Sequence, residues 1–229
     1  KSISGNLTLT GAGATVNVAG SVTGNLTAAG QAFTVGASGF DTSKFGGVTG
    51  TYGVITGGGN AIALEKAITA TGLTLATGGS LAVTGSGSLA GALTVNGTNT
   101  LNLSVANSVT SNVTLGSNST LTFTDTSPTI GGNFAGAGFD LTLGSSLDLA
   151  SIAGTVAGFG TMDVNSRTFT VSKDASATTV AVSTGTLDLT AGDITGNVTV
   201  SGAGTVTVAS GKSISGNLTL TGAGATVNV

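Results

Sequence analysis

The chain has 229 residues, including 40 Gly, with 7% charged residues and a formal net charge of −3. It contains no His and no Cys, which excludes Ser–His–Asp and Cys–His catalysis, thiol chemistry and most zinc or iron sites. Six Lys and Arg residues are too few for a nucleic-acid footprint. Apolar residues alternate with Thr, Ser, Asn and Gly, and no apolar run approaches the ~18 residues of a membrane-spanning helix. We therefore expect no membrane insertion and no nucleic-acid partner.

The chain opens with the segment KSISGNLTLTGAGATVNV (1–18), which returns unchanged at 212–229. The offset is 211 residues. We interpret residues 1–211 as one repeat unit and residues 212–229 as the start of the next identical unit, because long tandem repeats indicate solenoids and arrays. A single local duplication is the competing interpretation.

A shorter repeat lies inside this unit and contains a serine–aliphatic–Gly–Asn–Leu–Thr box. Its aliphatic marker occurs at Ile3, Val22, Ile68, Leu89, Val109, Ile130, Ile152, Ile194 and Ile214. The two long steps, from Val22 to Ile68 and from Ile152 to Ile194, each fit two coils, one of which has a degenerate marker. The 211-residue unit therefore contains about 10 coils of 20–21 residues.

Within each coil the apolar residues recur with period two. Leu7 and Leu9 share one face, Thr8 lies on the other, and the alternation resumes at Val16 after a Gly-rich turn. This pattern indicates short strands. One coil cannot bury its apolar face alone, but stacked coils can. We predict an all-β fold, a right-handed parallel β-helix or solenoid, whose ten coils rise roughly 48 Å at one strand spacing per coil.

Residues 40–66 depart from this pattern. The segment contains Phe40, Phe45 and the single Tyr, together with four charged residues. We interpret it as an irregular coil or a lateral loop, which could contact a neighbouring fibre or bind a ligand. An insertion that only covers a coil edge is the alternative. Within the segment, AIALEKAI (61–68) suggests a turn or two of helix.

A recurring asparagine follows the box Gly or Ser. We predict that these side chains form a structural ladder along the stacked turns, satisfying backbone amides that would otherwise be unpaired. The column comprises Asn6, Asn25, Asn112, Asn133, Asn197 and Asn217. N-glycosylation is the rival interpretation, because all of these except Asn133 lie in N-x-Thr sequons, as do Asn96 and Asn118.

Other chemistries have weaker signals. Asp140 with Asp163, and Asp148 with Asp188, could stack as carboxylate pairs, but nothing else marks them as catalytic. The Gly-rich acidic segments 57–65 and 131–140 resemble calcium loops only loosely. One threonine column suggests ice binding, but a second regular column is missing; the first comprises Thr8, Thr27, Thr74, Thr94, Thr114, Thr199 and Thr219. We expect no enzymatic activity, no metal and no cofactor.

The ISGNLTL…GATVNV coils, the period of about 20 residues and the depletion of charge and Cys resemble large secreted bacterial β-solenoid proteins. The nearest groups are the filamentous-haemagglutinin-like adhesins and the autotransporter passengers. The resemblance implies an extracellular or cell-surface location. It favours a structural fibre of tandem repeats, with the shaft of a surface adhesin as the alternative. The expected partners are further units of the same protein, laterally bundled fibres, and a cell surface or glycan.

Overall fold

The computed structural model describes residues 2–106 and 108–229. Lys1 and Asn107, which belong to the predicted repeat unit, lie outside the described residues. Strands make up 57% of the chain and helix 1%, and they wind into a parallel β-solenoid of about 11 turns. The predicted all-β solenoid is therefore confirmed. The number of turns agrees with ten coils per 211 residues and one further coil in residues 212–229.

Strands of two to 15 residues alternate with connections of two to ten residues along the solenoid. In its first part the strands are β1 Leu7–Leu9, β2 Ala14–Val16, β3 Val22–Ala29, β4 Phe33–Val35, β5 Phe40–Asp41, β6 Phe45–Gly58, β7 Ala61–Leu64, β8 Ala67–Leu75, β9 Ser80–Val83, β10 Ser88–Asn102 and β11 Val113–Phe123. In its second part they are β12 Phe134–Ala135, β13 Leu141–Leu143, β14 Leu147–Asp148, β15 Val156–Asn165, β16 Thr168–Thr170, β17 Ala175–Val182, β18 Thr186–Leu189, β19 Ile194–Val200, β20 Thr205–Val208, β21 Leu218–Leu220 and β22 Thr226–Asn228.

The strand pairs among the described residues are parallel and join each coil to the next. They form one sheet of 17 strands and a second of five, the latter containing β14, β16, β18, β20 and β22. Leu93 of β10, for example, pairs with Leu73 on one side and with Val113 on the other. Each residue thus stacks on a residue about 20 positions away, which aligns similar side chains in columns along the axis.

The core is a set of aliphatic columns inside the solenoid. The marker residues Leu89, Val109 and Ile130 are fully buried and joined coil to coil by parallel bridges. Between them lie two clusters of aromatic rings, which the sequence pattern did not place: Phe33, Phe40, Phe45 and Tyr52 in one, and Phe123, Phe134 and Phe159 in the other. The coils that contain these rings are 21 to 23 residues long.

The two degenerate coils are resolved by the strand register. Phe45 pairs with Val22 and takes the marker position of the third coil. Ala175 pairs with Ile194 and takes that of the ninth coil. An aromatic ring and a methyl group therefore replace the aliphatic marker, which explains why the repeat was not visible there in the sequence.

Residues 40–66 lie within the stack over most of their length. Phe40 pairs with Ile62, and β6 pairs with both β3 and β4 below it. The departure from strand geometry is the 3-10 turn Thr42–Lys44, which follows Asp41 as its N-cap. The aromatic side chains of this segment are buried in the core, so they are not available for a contact between fibres.

The expected helix at 61–68 is wrong. Residues Ala61–Leu64 and Ala67–Leu75 are strands, and Ile62 pairs with Phe40 below and Leu81 above. Ile62 and Leu64 both point into the core, which is a period of two. Pairing on both sides of the segment outweighs the local helical propensity of Leu, Glu and Lys.

The threonine column proposed from the sequence is three separate columns. In the first, Thr8 and Thr27 align with Thr49. The second is continuous over six coils and runs through Thr15, Thr34, Thr56, Thr74, Thr94 and Thr114. The third contains Thr199 and Thr219, which stack above Ala181 and Asp163. The first two columns separate at the long strand β6, which pairs with β3 through Val48 and with β4 through Ile55. The coil above is shorter on this side and covers β6 only from Thr51, so the first column ends on β6 and the second continues.

Candidate functional site: stacking ladders and lysine caps

The asparagine side chains connect successive coils through the backbone. The Oδ1 atom of Asn112 accepts the N–H of Asn133 at 2.9 Å, and Asn133 Oδ1 accepts the N–H of Thr155 at 2.9 Å. Asn6 Oδ1 accepts the N–H of Asn25 at 2.8 Å. Each bond gives a backbone amide an acceptor on the preceding coil.

A glycine precedes the amide donor in these bonds and makes room for the carboxamide. A Cβ atom on Gly24 would lie 2.5 Å from Asn6 Oδ1, and one on Gly132 would lie 2.5 Å from Asn112 Oδ1. The same relation joins Gly216 to Asn197, at 2.7 Å. The dipeptide Gly-Asn is therefore self-complementary along the axis, because the Gly accepts the carboxamide below it while the Asn presents one to the coil above. We call this arrangement the Asn–Gly ladder.

The six predicted asparagines form three pairs rather than one column. Asn6 pairs with Asn25, Asn112 with Asn133, and Asn197 with Asn217, the last at 3.0 Å. Above Asn25 the ladder ends on Gly47. Gly72 and Ala92, in the next two coils, belong to a different column that contains Val54. The interruptions follow from the sequence, since those coils lack the Gly-Asn box.

In other columns, aspartate carboxylates accept backbone N–H groups as the asparagine side chains do. Asp140 Oδ1 accepts the N–H of Thr161 at 2.6 Å, and Asp193 Oδ1 accepts the N–H of Ser213 at 2.6 Å. Within single turns, Asp41 and Asp163 accept the N–H two residues further on. These aspartates thus act as turn acceptors, a role the sequence interpretation did not assign to them.

Lysine side chains lie where the marker bridges are interrupted. Bridges or strand pairs join most consecutive markers, but Phe45 and Ile68 are not paired with each other, nor are Ile152 and Ala175. At the first break, the Nζ atom of Lys66 donates to the carbonyl oxygens of Phe45 and Gly46. The ammonium group thereby satisfies carbonyls that the shorter coil above cannot reach.

At the second break a lysine again donates to the backbone carbonyls. Lys173 Nζ lies 2.5 Å from Ile152 O, 3.1 Å from Ala153 O and 2.5 Å from Gly154 O. The ninth coil does not cover these carbonyls completely, so a surface groove of about 740 Å³ lies above them. Lys66 and Lys173 are called the lysine caps below. Each lysine stands two residues before a marker position, Ile68 or Ala175, but Lys212 has the same spacing from Ile214, so the spacing alone does not identify a cap.

The carboxylate pairs are not brought together. Asp148 and Asp188 lie in one column but are separated by Thr170, at two strand spacings. Asp163 pairs with Thr142, and Asp140 is already bonded to Thr161. Across the residues that the structure describes, no group of three or more acidic side chains is arranged to hold a metal ion. Within the same residues, no helix has the length and hydropathy needed to cross a bilayer.

Two buried polar groups are unusual. Tyr52 is fully buried, its hydroxyl donates to Leu26 O at 2.9 Å, and burial raises its pKa from 10.0 to about 12. Asn99 faces inward with 2% exposure and donates to Asn96 O at 2.8 Å, while its Oδ1 atom has no partner. Among the sequons, Asn96 Nδ2 donates to Leu75 O at 3.0 Å, so a glycan on that atom would break an intercoil bond.

No protein-family profile, curated protein or solved structure matches this chain.

Proposed function

We propose that this chain is part of a structural extracellular fibre built from tandem, near-identical β-solenoid repeats that form a stiff surface or cell-connecting appendage. The observation that carries the proposal is the equivalence of the two identical segments. Leu7–Leu9 and Leu218–Leu220 are both strands, and each is stacked in register on a neighbouring coil. The last coil thus presents to a following coil the same surface that the first coil presents to the second.

The duplicated leucine identifies the surface that a further coil would bury. Leu9 is 7% exposed beneath the second coil, whereas its counterpart Leu220 is 49% exposed. A following segment with the sequence of residues 21–39 would cover Leu220 and extend the Asn–Gly ladder from Asn217. Stacking of this kind has no built-in end, because each coil reproduces the surface that received it.

The same rod would also serve as the shaft of a surface adhesin that presents a separate binding domain. The two functions differ in what the complete protein carries at its ends. A distinct terminal domain that binds a glycan or cell surface favours the adhesin. Uninterrupted 211-residue units up to a surface anchor favour the fibre.

The test compares chains of one, two and three consecutive 211-residue units by electron microscopy. The proposal predicts rods whose length increases by roughly 48 Å per added unit, with constant width. Particles that grow in width, or beads separated by flexible joints, would contradict it.

A further inference from the structure

We propose that the charge-poor face over the second to sixth coils is a lateral interface at which a second copy of this solenoid packs side by side. The inference rests on the proposed fibre and identifies which surface its bundles use. The face is defined by the central threonines Thr34, Thr56, Thr74, Thr94 and Thr114 with their outward-facing neighbours two residues before and after.

Charged residues are unusually scarce in this region. Residues 67–124 contain no Asp, Glu, Lys or Arg, whereas residues 125–212 contain seven Asp. Within residues 22–66 the charged residues are Asp41, Lys44, Glu65 and Lys66. The ammonium groups of Lys44 and Lys66 donate to backbone carbonyls, and the Asp41 carboxylate accepts the N–H of Ser43. Depletion of charge is the compositional feature of interface cores, because ions need not be desolvated when two such faces meet.

The face has a shape that can fit a copy of itself. Its centre is a ridge of threonines, one per coil, at the strand spacing of about 4.8 Å. On one side the ridge is flanked by Val54, Gly72 and Ala92, which are paired with one another in the sheet. Small flanking residues leave a shallow groove, and an identical axial period lets the ridge of one solenoid follow the groove of another.

The exposed apolar surface points to the same place. Most large hydrophobic side chains with high exposure belong to the first and last coils. The exceptions are Phe139, in the seventh coil, and Val54, which is 42% exposed in the middle of a strand on this face. The threonine ridge ends at the sixth coil, because Ala135 and Ala157 follow Thr114 in the same column.

The area of the face predicts how strongly the copies associate. Five coils and about five strand residues give a face of roughly 400 Å². A standard stable interface needs about 800 Å² per partner. One unit is therefore too small to pair tightly, whereas consecutive units add their faces along the rod, so lateral association should strengthen steeply with repeat number.

The test uses chains of one and three units, with association followed by sedimentation and the paired rods viewed by cryo-electron microscopy. The face variant carries Thr74→Lys and Thr114→Lys in every unit. The matched control carries Thr98→Lys and Thr142→Lys, which add the same charge in outward strand positions of another column. Like charges facing each other across the interface should weaken pairing of the face variant by about tenfold or more, while the control pairs like the parent.

A milder variant guards against misfolding. Val54→Thr keeps the shape and strand propensity and should weaken pairing by a smaller factor without changing rod length. Equal loss in the face variant and the control would overturn the assignment of the face. Three-unit rods that stay single at every concentration would overturn the lateral interface and leave the fibre proposal standing. Failure to form rods at all would overturn the fibre proposal, and with it this inference.

Discussion

Gly132 and Asn112 are neighbours across two coils, and a Cβ atom on Gly132 would lie 2.5 Å from the side-chain oxygen of Asn112. That oxygen accepts the N–H of Asn133, the residue after the glycine. The close approach and the hydrogen bond therefore depend on the same carboxamide. This relation gives a physical reason for the recurrent Gly-Asn dipeptide.

Gly132→Ala should destabilise the solenoid, because the new methyl group would also meet the backbone of Ser111 at 2.6 Å. Overpacking of this kind costs about 1–3 kcal/mol. Urea denaturation followed by circular dichroism measures the free energy of unfolding. Gly11→Ala is the control, since no atom lies within 4 Å of a Cβ there. Equal stability of Gly132→Ala and the parent would contradict the ladder geometry.

Asn112→Ala should lower the free energy of unfolding by about 1 kcal/mol, because the amide of Asn133 loses its acceptor. Asn112→Asp should restore most of this loss, since Asp140 and Asp193 bind backbone amides in the same way. The two variants are compared by thermal denaturation at neutral pH. Identical midpoints for Asn112→Ala and Asn112→Asp would show that the side-chain oxygen does not support the turn.

Lys173→Met should destabilise the chain by about 2 kcal/mol, because it keeps the aliphatic stem but leaves the carbonyls of Ile152 and Gly154 without a donor. Hydrogen exchange should show the accompanying loss of protection in the eighth and ninth coils. Lys212→Met removes the same charge in the last coil and serves as the control. If both variants lose the same stability, the effect is one of net charge rather than of capping.

Alkaline pH should weaken the fold through Tyr52, whose pKa is raised to about 12 by burial. Below pH 10 the phenol is neutral in both states and stability is unaffected. Between pH 10 and 12 the unfolded chain ionises first, so the free energy of unfolding should fall by up to about 3 kcal/mol. Tyr52→Phe should cost about 1 kcal/mol at neutral pH, through loss of the bond to Leu26, but remove most of this alkaline decline. An unchanged decline would exclude Tyr52 as its cause.

The fold follows from the sequence where the coils repeat their apolar alternation. Leu89, Val109 and Ile130 could be aligned from the sequence because each lies in a recognisable box, and the structure stacks them. Phe45 and Ala175 could not, since neither resembles an aliphatic marker. Ile62 and Leu64 were misread because a spacing of four residues between Leu64 and Ile68 fits a helix as well as an alternating strand. Only pairing with the strands on either side distinguishes a strand from a helix here.

The sequence predicts the ladders only in part. It shows the recurrent Asn positions, but the steric role of the preceding Gly depends on which residue lies one coil away. The lysine caps were not visible, because they compensate for coils of unequal length. Register shifts of this kind depend on the packing of large side chains such as Phe45 and Tyr52. Composition and local pattern do not encode them.

The most direct test of the tandem solenoid is a cryo-electron microscopy map of a three-unit chain, at a resolution that separates strands across the junction at residue 211. The account predicts an unbroken parallel ladder, with the side-chain oxygen of Asn217 bound to the next Gly-Asn amide and an axial repeat of roughly 48 Å. A gap in the ladder at the junction, or units that change direction there, would contradict it.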